Sequence, residues 1–309
     1  MKWLLADDNI DCVQKMNRLM SLINEDFRVS GTEAVQSNCS PVFIVGSPRS
    51  GTTLLHQIMA IGLKIGYINN FMARFWRAPA VAAHISRNRL RLRPSNHFYS
   101  KLGRTQGLEG VHEFGYFWNR FFRGETDHAD DILDEDAAVL RREVISMQRT
   151  LGMRKLFKNL TCGLRIRPLS KVFDEPVFIE VRRNPYSNAM AILKARRCYH
   201  GNENRWWSLE PKNLNELKRL PVHEQIASQI FPVRREIETT ASECKVRHIV
   251  LHYEDFCLDP DRALEMLAKN LGVDRRRVDL SFEPRYAKPP RTELERKLYE
   301  LCKEKIAKK

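Results

Sequence analysis

Short apolar runs, each cut off by Gly, Pro or Arg, alternate along this chain with stretches whose apolar residues recur every three or four positions. Pro41-Val42-Phe43-Ile44-Val45 suits a strand buried on both faces; Gly46 to Gly51 breaks it, and Thr52 to Leu63 resumes at helical spacing. Val177 to Val181, ended by Arg182-Arg183-Asn184-Pro185, and His248 to Tyr253 read as two further strands, with a weaker one at Lys155 to Lys158. Helical patterns follow at Asn188 to Arg197 and at Asp261 to Leu271, where Ala263, Leu264, Leu267 and Leu271 share a face before Gly272. This alternation predicts an α/β fold, a parallel sheet with helices on both faces. Val13, Met16, Leu19, Met20 and Ile23 predict an amphipathic helix ahead of a polar run at 30–40, and Leu294, Leu298, Leu301 and Ile306 a packed C-terminal helix.

Composition narrows the class. With 43% apolar and 29% charged residues, and Gly and Pro at 14 each in 309, the chain is neither disordered nor collagen-like. No run reaches the 18 or so apolar residues of a membrane span, and the opening MKWLL meets Asp7-Asp8 at once, so a cytoplasmic location is expected. Seven cysteines without CxxC spacing argue against zinc and disulfides and for reduced, mostly buried thiols. A net charge of +14 favours anionic partners: nucleic acid, an anionic membrane surface, or phosphate- and sulfate-bearing small molecules.

Candidate chemistry begins at Gly46-Ser47-Pro48-Arg49-Ser50-Gly51-Thr52-Thr53, the G-x4-G frame of a phosphate-binding loop between a strand and a helix. Thr52 stands where a Walker A loop carries lysine, which counts against ATP hydrolysis. Arg49 supplies a cation inside the loop instead, with a fork suited to phosphate or sulfate oxygens.

Residues 45–55 resemble the 5′-phosphosulfate loop of sulfotransferases that use 3′-phosphoadenosine 5′-phosphosulfate (PAPS), in the Arg-containing form of bacterial and Golgi-type members. The resemblance extends to Phe178-Ile-Glu-Val-Arg-Arg-Asn-Pro185, to Leu156-Phe-Lys-Asn159 and to Leu251-His-Tyr-Glu-Asp-Phe-Cys-Leu-Asp-Pro260. It implies a P-loop-like core at 41–272 in a single domain over 1–309. An N-terminal helical extension (1–40), a helical tail (273–309) and a mostly helical acceptor-side insertion would complete it. It implies PAPS held by Ser47, Pro48, Arg49, Ser50, Gly51, Thr52 and Thr53, with Arg183 on the 3′-phosphate. Where the family usually has a second serine ligand this chain has Ala191, and Ser187 is the candidate substitute.

For the acceptor, Leu108 to Arg120 read as a helix puts Glu109, His112, Glu113, Tyr116 and Arg120 on one polar face. The resemblance places a catalytic base in this stretch. His112 is favoured because an imidazole near its ordinary pKa of about 6.5 is basic and free at neutral pH, with Glu113 the alternative. Glu109 is a third candidate, and Glu109 and Tyr116 are candidate acceptor contacts. Trp206-Trp207 suits either sugar stacking or packing, and Arg87, Arg89, Arg91 and Arg93 either guide an anion or form a solvated edge. The reading is metal-free, in-line sulfuryl transfer from PAPS to a hydroxyl of a small-molecule or glycan acceptor, carbohydrate or glycolipid, without a covalent enzyme intermediate. The rivals are a P-loop small-molecule kinase and a basic nucleic-acid-binding module; no nucleic-acid motif is visible.

Overall fold

The computed structural model describes residues 10–24, 40–122 and 124–308. Five strands, β1 (Val42–Val45), β2 (Gly66–Tyr67), β3 (Lys155–Lys158), β4 (Val177–Arg182) and β5 (Arg247–His252), form one parallel sheet in the order β2-β3-β1-β4-β5. β1 at its centre is fully buried, as its unbroken apolar run requires. The four-strand expectation missed β2, whose two residues are too short to carry a pattern.

The helices that position the site are α1 (Ile10–Asn24), α2 (Thr52–Gly62), α3 (Pro79–His84), α4 (Asp134–Leu151), α5 (Pro185–His200), α6 (Phe231–Glu243), α7 (Tyr253–Leu258), α8 (Pro260–Leu271) and α9 (Glu293–Ala307). Successive β1 side chains feed opposite layers. Phe43 and Val45 pack with Phe157, Phe178 and the apolar faces of α4 and α6. Val42 and Ile44 pack with Ile179, Val181 and residues of α2, α7 and α8. The rings of Phe157 and Phe178 stack on Phe43 at 5.7 and 5.0 Å between centroids, tying three neighbouring strands on one face. α9 forms as predicted, but of its expected stripe Leu298 is buried, Leu294 partly so and Ile306 exposed; Leu298 and Cys302 pack against α5 and Ile226, and Thr292 and Glu295 close a capping box at its start.

Two expectations change. Residues 108–120 are not one helix: Val111 pairs with Asn69 in a β-bridge, the His112 N–H donates to the Ile68 carbonyl (2.9 Å), and Phe114 is left-handed at φ 57°. Only Gly115–Trp118 is helical. The periodicity of Phe114, Phe117, Trp118 and Phe121 is real packing, but the edge of Ile68–Asn69 captures the backbone before it. The second change is in α1, which forms as predicted while turning Met16, Leu19 and Ile23 outward. Most of the polar run at 30–40 lies outside the described residues.

The cysteines also divide differently: Cys162, Cys257 and Cys302 are buried, whereas Cys12 and Cys198 are exposed. Trp207 is buried, and the Trp206 indole donates to the Leu209 carbonyl at 2.8 Å beneath the Arg196 guanidinium, so the pair packs. The arginines at 87, 89, 91 and 93 are exposed on a short π-helical turn and the coil after it.

Candidate active site

The loop between β1 and α2 closes on backbone that only glycine tolerates at its two ends. Gly46 has φ 145°, and a Cβ there would lie 2.7 Å from the Val181 carbonyl; Gly51 has φ 109°, and its Cβ would lie 2.4 Å from the Tyr253 ring. Arg49 between them is left-handed at φ 64°, a conformation costly for a side-chain-bearing residue. The turn is held from α5: Ser47 Oγ donates to Asn188 Oδ1 (2.7 Å), and Asn188 Nδ2 donates to the Pro48 carbonyl (2.6 Å). Asn188 is fully buried. The Ser47 hydroxyl is thereby spent on the loop's own scaffold, so what Ser47 offers a ligand is its backbone N–H.

Above this turn three guanidinium groups converge. Arg49 is half-buried, less open than its place in a loop suggests, and burial followed by the charges of Arg183 and Arg285 holds its pKa below the ordinary value. Its buried Nε has no hydrogen-bond partner, nor does the Ser50 hydroxyl. Arg183, 8% exposed at the end of β4, lies 4.4 Å above the Tyr253 ring and donates to the carbonyls of Arg49 (3.2 Å) and Arg285, while its Nε is unpartnered. Thus Arg183 and the loop are adjacent, as the resemblance implies.

The strap that brings Arg285 carried no signal in its sequence. Tyr253 Oη accepts the Arg285 N–H (2.9 Å) and Ser187 Oγ accepts the Ala287 N–H (3.2 Å). Ser187 lies in the first turn of α5, its N–H capped by Asn184 Oδ1 at 3.0 Å; Ala191 is one turn further along the same helix.

On the acceptor side, Glu113 forms an ion pair with Lys158, whose side chain is 3% exposed against 42% for Glu113. β3 delivers Lys158 beside Ile44, and Asn159 fixes Glu113 by donating to its carbonyl at 3.1 Å. A Cβ at Gly103 would lie 3.5 Å from Thr53 Oγ1 and 3.7 Å from Glu113 Oε1, so the loop's threonine and the carboxylate share one neighbour. His112 Nδ1 accepts the Phe114 N–H at 2.9 Å, which assigns the ring proton of the neutral form to Nε2. Burial, only partly offset by Glu113, lowers the His112 pKa to about 4. Of the remaining candidates, Tyr116 stacks on Trp76 at 4.7 Å and Arg120 pairs with buried Glu143 (2.9 Å), while Glu109 is tied through its backbone carbonyl, which accepts from Tyr67 Oη (2.9 Å). The shared polar face of 109–120 therefore does not exist as a unit.

Beneath the site His56 of α2 is fully buried with neither ring nitrogen partnered, and burial, then the charges of Lys158 and His112, push its pKa well below 6.5. Both histidines have folded pKa values under their unfolded one. Their contribution is full above about pH 6.5 and is lost as pH falls below it, because the unfolded chain then binds more protons. The melting temperature should therefore drop between about pH 7 and 5, and His56→Leu should flatten that drop. A wild-type melting temperature constant over this range would show that the histidines do not titrate on unfolding.

A family model described as "Sulfotransferase family" matches residues 41–277. This chain belongs to the sulfotransferase family. Among curated relatives it is 25% identical over 257 residues to the omega-hydroxy-beta-dihydromenaquinone-9 sulfotransferase Stf3 of Mycobacterium bovis and, equally, to that of Mycobacterium tuberculosis. Each match covers 75% of this chain and 63% of the relative, so the chain spans less than two thirds of their length. The solved sulfotransferase STF9 of Mycobacterium avium covers 98% of the chain and is covered to 79%, with 14% identity and a TM-score of 0.51, a likeness of fold.

Proposed function

We propose that this sulfotransferase-family chain moves a sulfuryl group from PAPS to an acceptor hydroxyl. The observation that carries the reading is the convergence of Arg49, Arg183 and Arg285 over a loop of left-handed backbone with unpartnered buried donors. Concentrated positive charge of this kind favours a multiply anionic ligand. PAPS fits the residues present: the N–H groups of Ser47, Arg49, Gly51, Thr52 and Thr53, the Arg49 fork and the Ser50, Thr52 and Thr53 hydroxyls would serve the 5′ end, with Arg183 and Ser187 on the 3′-phosphate; Pro48 has no N–H, and that of Ser50 donates to the Ser47 carbonyl (3.2 Å). PAPS supplies the sulfuryl group and leaves as 3′-phosphoadenosine 5′-phosphate (PAP).

Glu113, in this reading, takes the acceptor's hydroxyl proton. The neutral His112 is spent at Nδ1 on a backbone N–H and offers a donor at Nε2, so it orients the acceptor oxygen rather than deprotonating it. When Glu113 is protonated its charge no longer neutralises Lys158, and the freed ammonium opposes the negative charge that builds on the departing oxygen. The acceptor in this reading is a hydroxyl of a carbohydrate or glycolipid; the relatives' name, omega-hydroxy-beta-dihydromenaquinone-9 sulfotransferase, favours a lipid-borne one.

Thermal shift tests the donor. PAP should raise the melting temperature far more than ADP, because ADP has no 3′-phosphate for Arg183; at 100 Kd the gain is about 2.7 kcal/mol. Equal shifts would remove Arg183 from the nucleotide site, and a response to ATP with Mg²⁺ alone would favour the kinase.

A further inference from the structure

A surface helix ordinarily turns its apolar stripe to the core; α1 does the reverse. Its inward face is anchored by two fully buried asparagines. Asn17 donates to the Arg74 carbonyl (2.7 Å) and accepts the Arg77 N–H (3.0 Å), and Asn24 Oδ1 accepts the Ala80 N–H (3.2 Å). Met16, Leu19, Leu22 and Ile23 are 43, 66, 71 and 48% exposed, and at about 100° per residue they form one outward stripe. Hydrogen bonds thus hold the helix while its apolar face is presented to the outside.

The frame around that stripe is basic. α1 and the segment 74–84 packed against it carry Lys15, Arg18, Arg74 and Arg77 against a single carboxylate, Asp11. A second copy of the chain is disfavoured as the occupant, because a two-fold contact would set these cations against themselves. No helix among the described residues is long and apolar enough to cross a membrane.

We infer that α1 docks the protein on an anionic lipid bilayer, lying in the interface with Leu19 and Leu22 inserted and Lys15, Arg18, Arg74 and Arg77 on the headgroups. α1 itself lies outside the family match at 41–277, and the inference is independent of the donor reading. Cosedimentation without nucleotide tests it, with vesicles of phosphatidylglycerol mixed into phosphatidylcholine and vesicles of phosphatidylcholine alone. The wild type should partition to the anionic vesicles at least about tenfold more strongly, and lose this in high salt. Leu19→Glu/Leu22→Glu should reduce partitioning at least about tenfold, and Arg74→Glu/Arg77→Glu should weaken it and flatten its salt dependence. Both variants should keep the wild-type melting temperature, since all four side chains are exposed. Failure of the wild type to bind, or equal binding by the leucine variant, overturns the inference. So does a concentration-dependent dimer in solution that the leucine variant abolishes, since the stripe would then be a contact between copies.

Discussion

Arg49→Ala should abolish nearly all transfer, with an expected loss of about 10² to 10³ in kcat, corresponding to roughly 3 to 4 kcal/mol of charge stabilisation at the reacting centre. The fold should survive this change, because the Arg49 Nε has no hydrogen-bond partner to lose and its guanidinium is repelled by Arg183 and Arg285. Arg49→Gly separates the two effects more cleanly. At φ 64° a side chain costs about 1 to 2 kcal/mol that glycine avoids, offset in part by glycine's larger loss of chain entropy. The glycine variant should be as inactive as the alanine one with a melting temperature unchanged or slightly raised. Arg49→Lys should retain part of the activity, since a point charge survives while the fork is lost. Retention of most activity in Arg49→Ala, measured with saturating donor and acceptor, would mean that the loop binds an anion without assisting its transfer.

Glu113→Gln is expected to cost about 10² to 10⁴ in kcat, the range for loss of a positioned general base. It also leaves Lys158 buried without its counterion, so loss of activity must be read beside PAP affinity, which an intact nucleotide site preserves. His112→Ala should be the milder change, acting on acceptor KM more than on kcat. The pH profile distinguishes the two assignments independently of folding. A histidine whose pKa is lowered to about 4 stays neutral through neutrality, so kcat/KM should show no acid limb near pH 6 to 7. A limb there that disappears in His112→Ala would return the base to the histidine.

The loop and Arg183 were readable because each depends on residue types that have few local substitutes. Glycines at both ends of a six-residue turn, an arginine within it and an arginine before Asn-Pro survive any tertiary rearrangement, since the flanking strands and helices set their direction. The acceptor side was less legible. Glu113 and Lys158 are 45 residues apart, and their pairing exists only because β3 lies beside β1. His112 looked like an available base from its residue type alone; a backbone N–H two residues on occupies the nitrogen that the role requires. Asn188, which holds the loop, sits in an Ala-rich helical stretch with no local sign of its task, and Arg285 sits in coil.

Strand–helix alternation was determined by local pattern: apolar runs bounded by breakers make buried parallel strands whatever surrounds them, and periodic stretches make helices. The glycine-bounded loop at 46–51 belongs to the same class, because its geometry is built from consecutive residues. Tertiary structure alone decided what each periodic stretch faces and what each polar side chain has as a partner. The α1 pattern is equally compatible with an inward and an outward apolar stripe; Asn17 and Asn24 select the outward one by bonding to backbone more than 50 residues away. The segment from Leu108 carries helical periodicity, yet the Ile68–Asn69 edge offers its backbone better-placed partners. A pattern records only which residues lie on the same side, whereas hydrogen bonds and charges between distant segments depend on which surfaces the fold brings together.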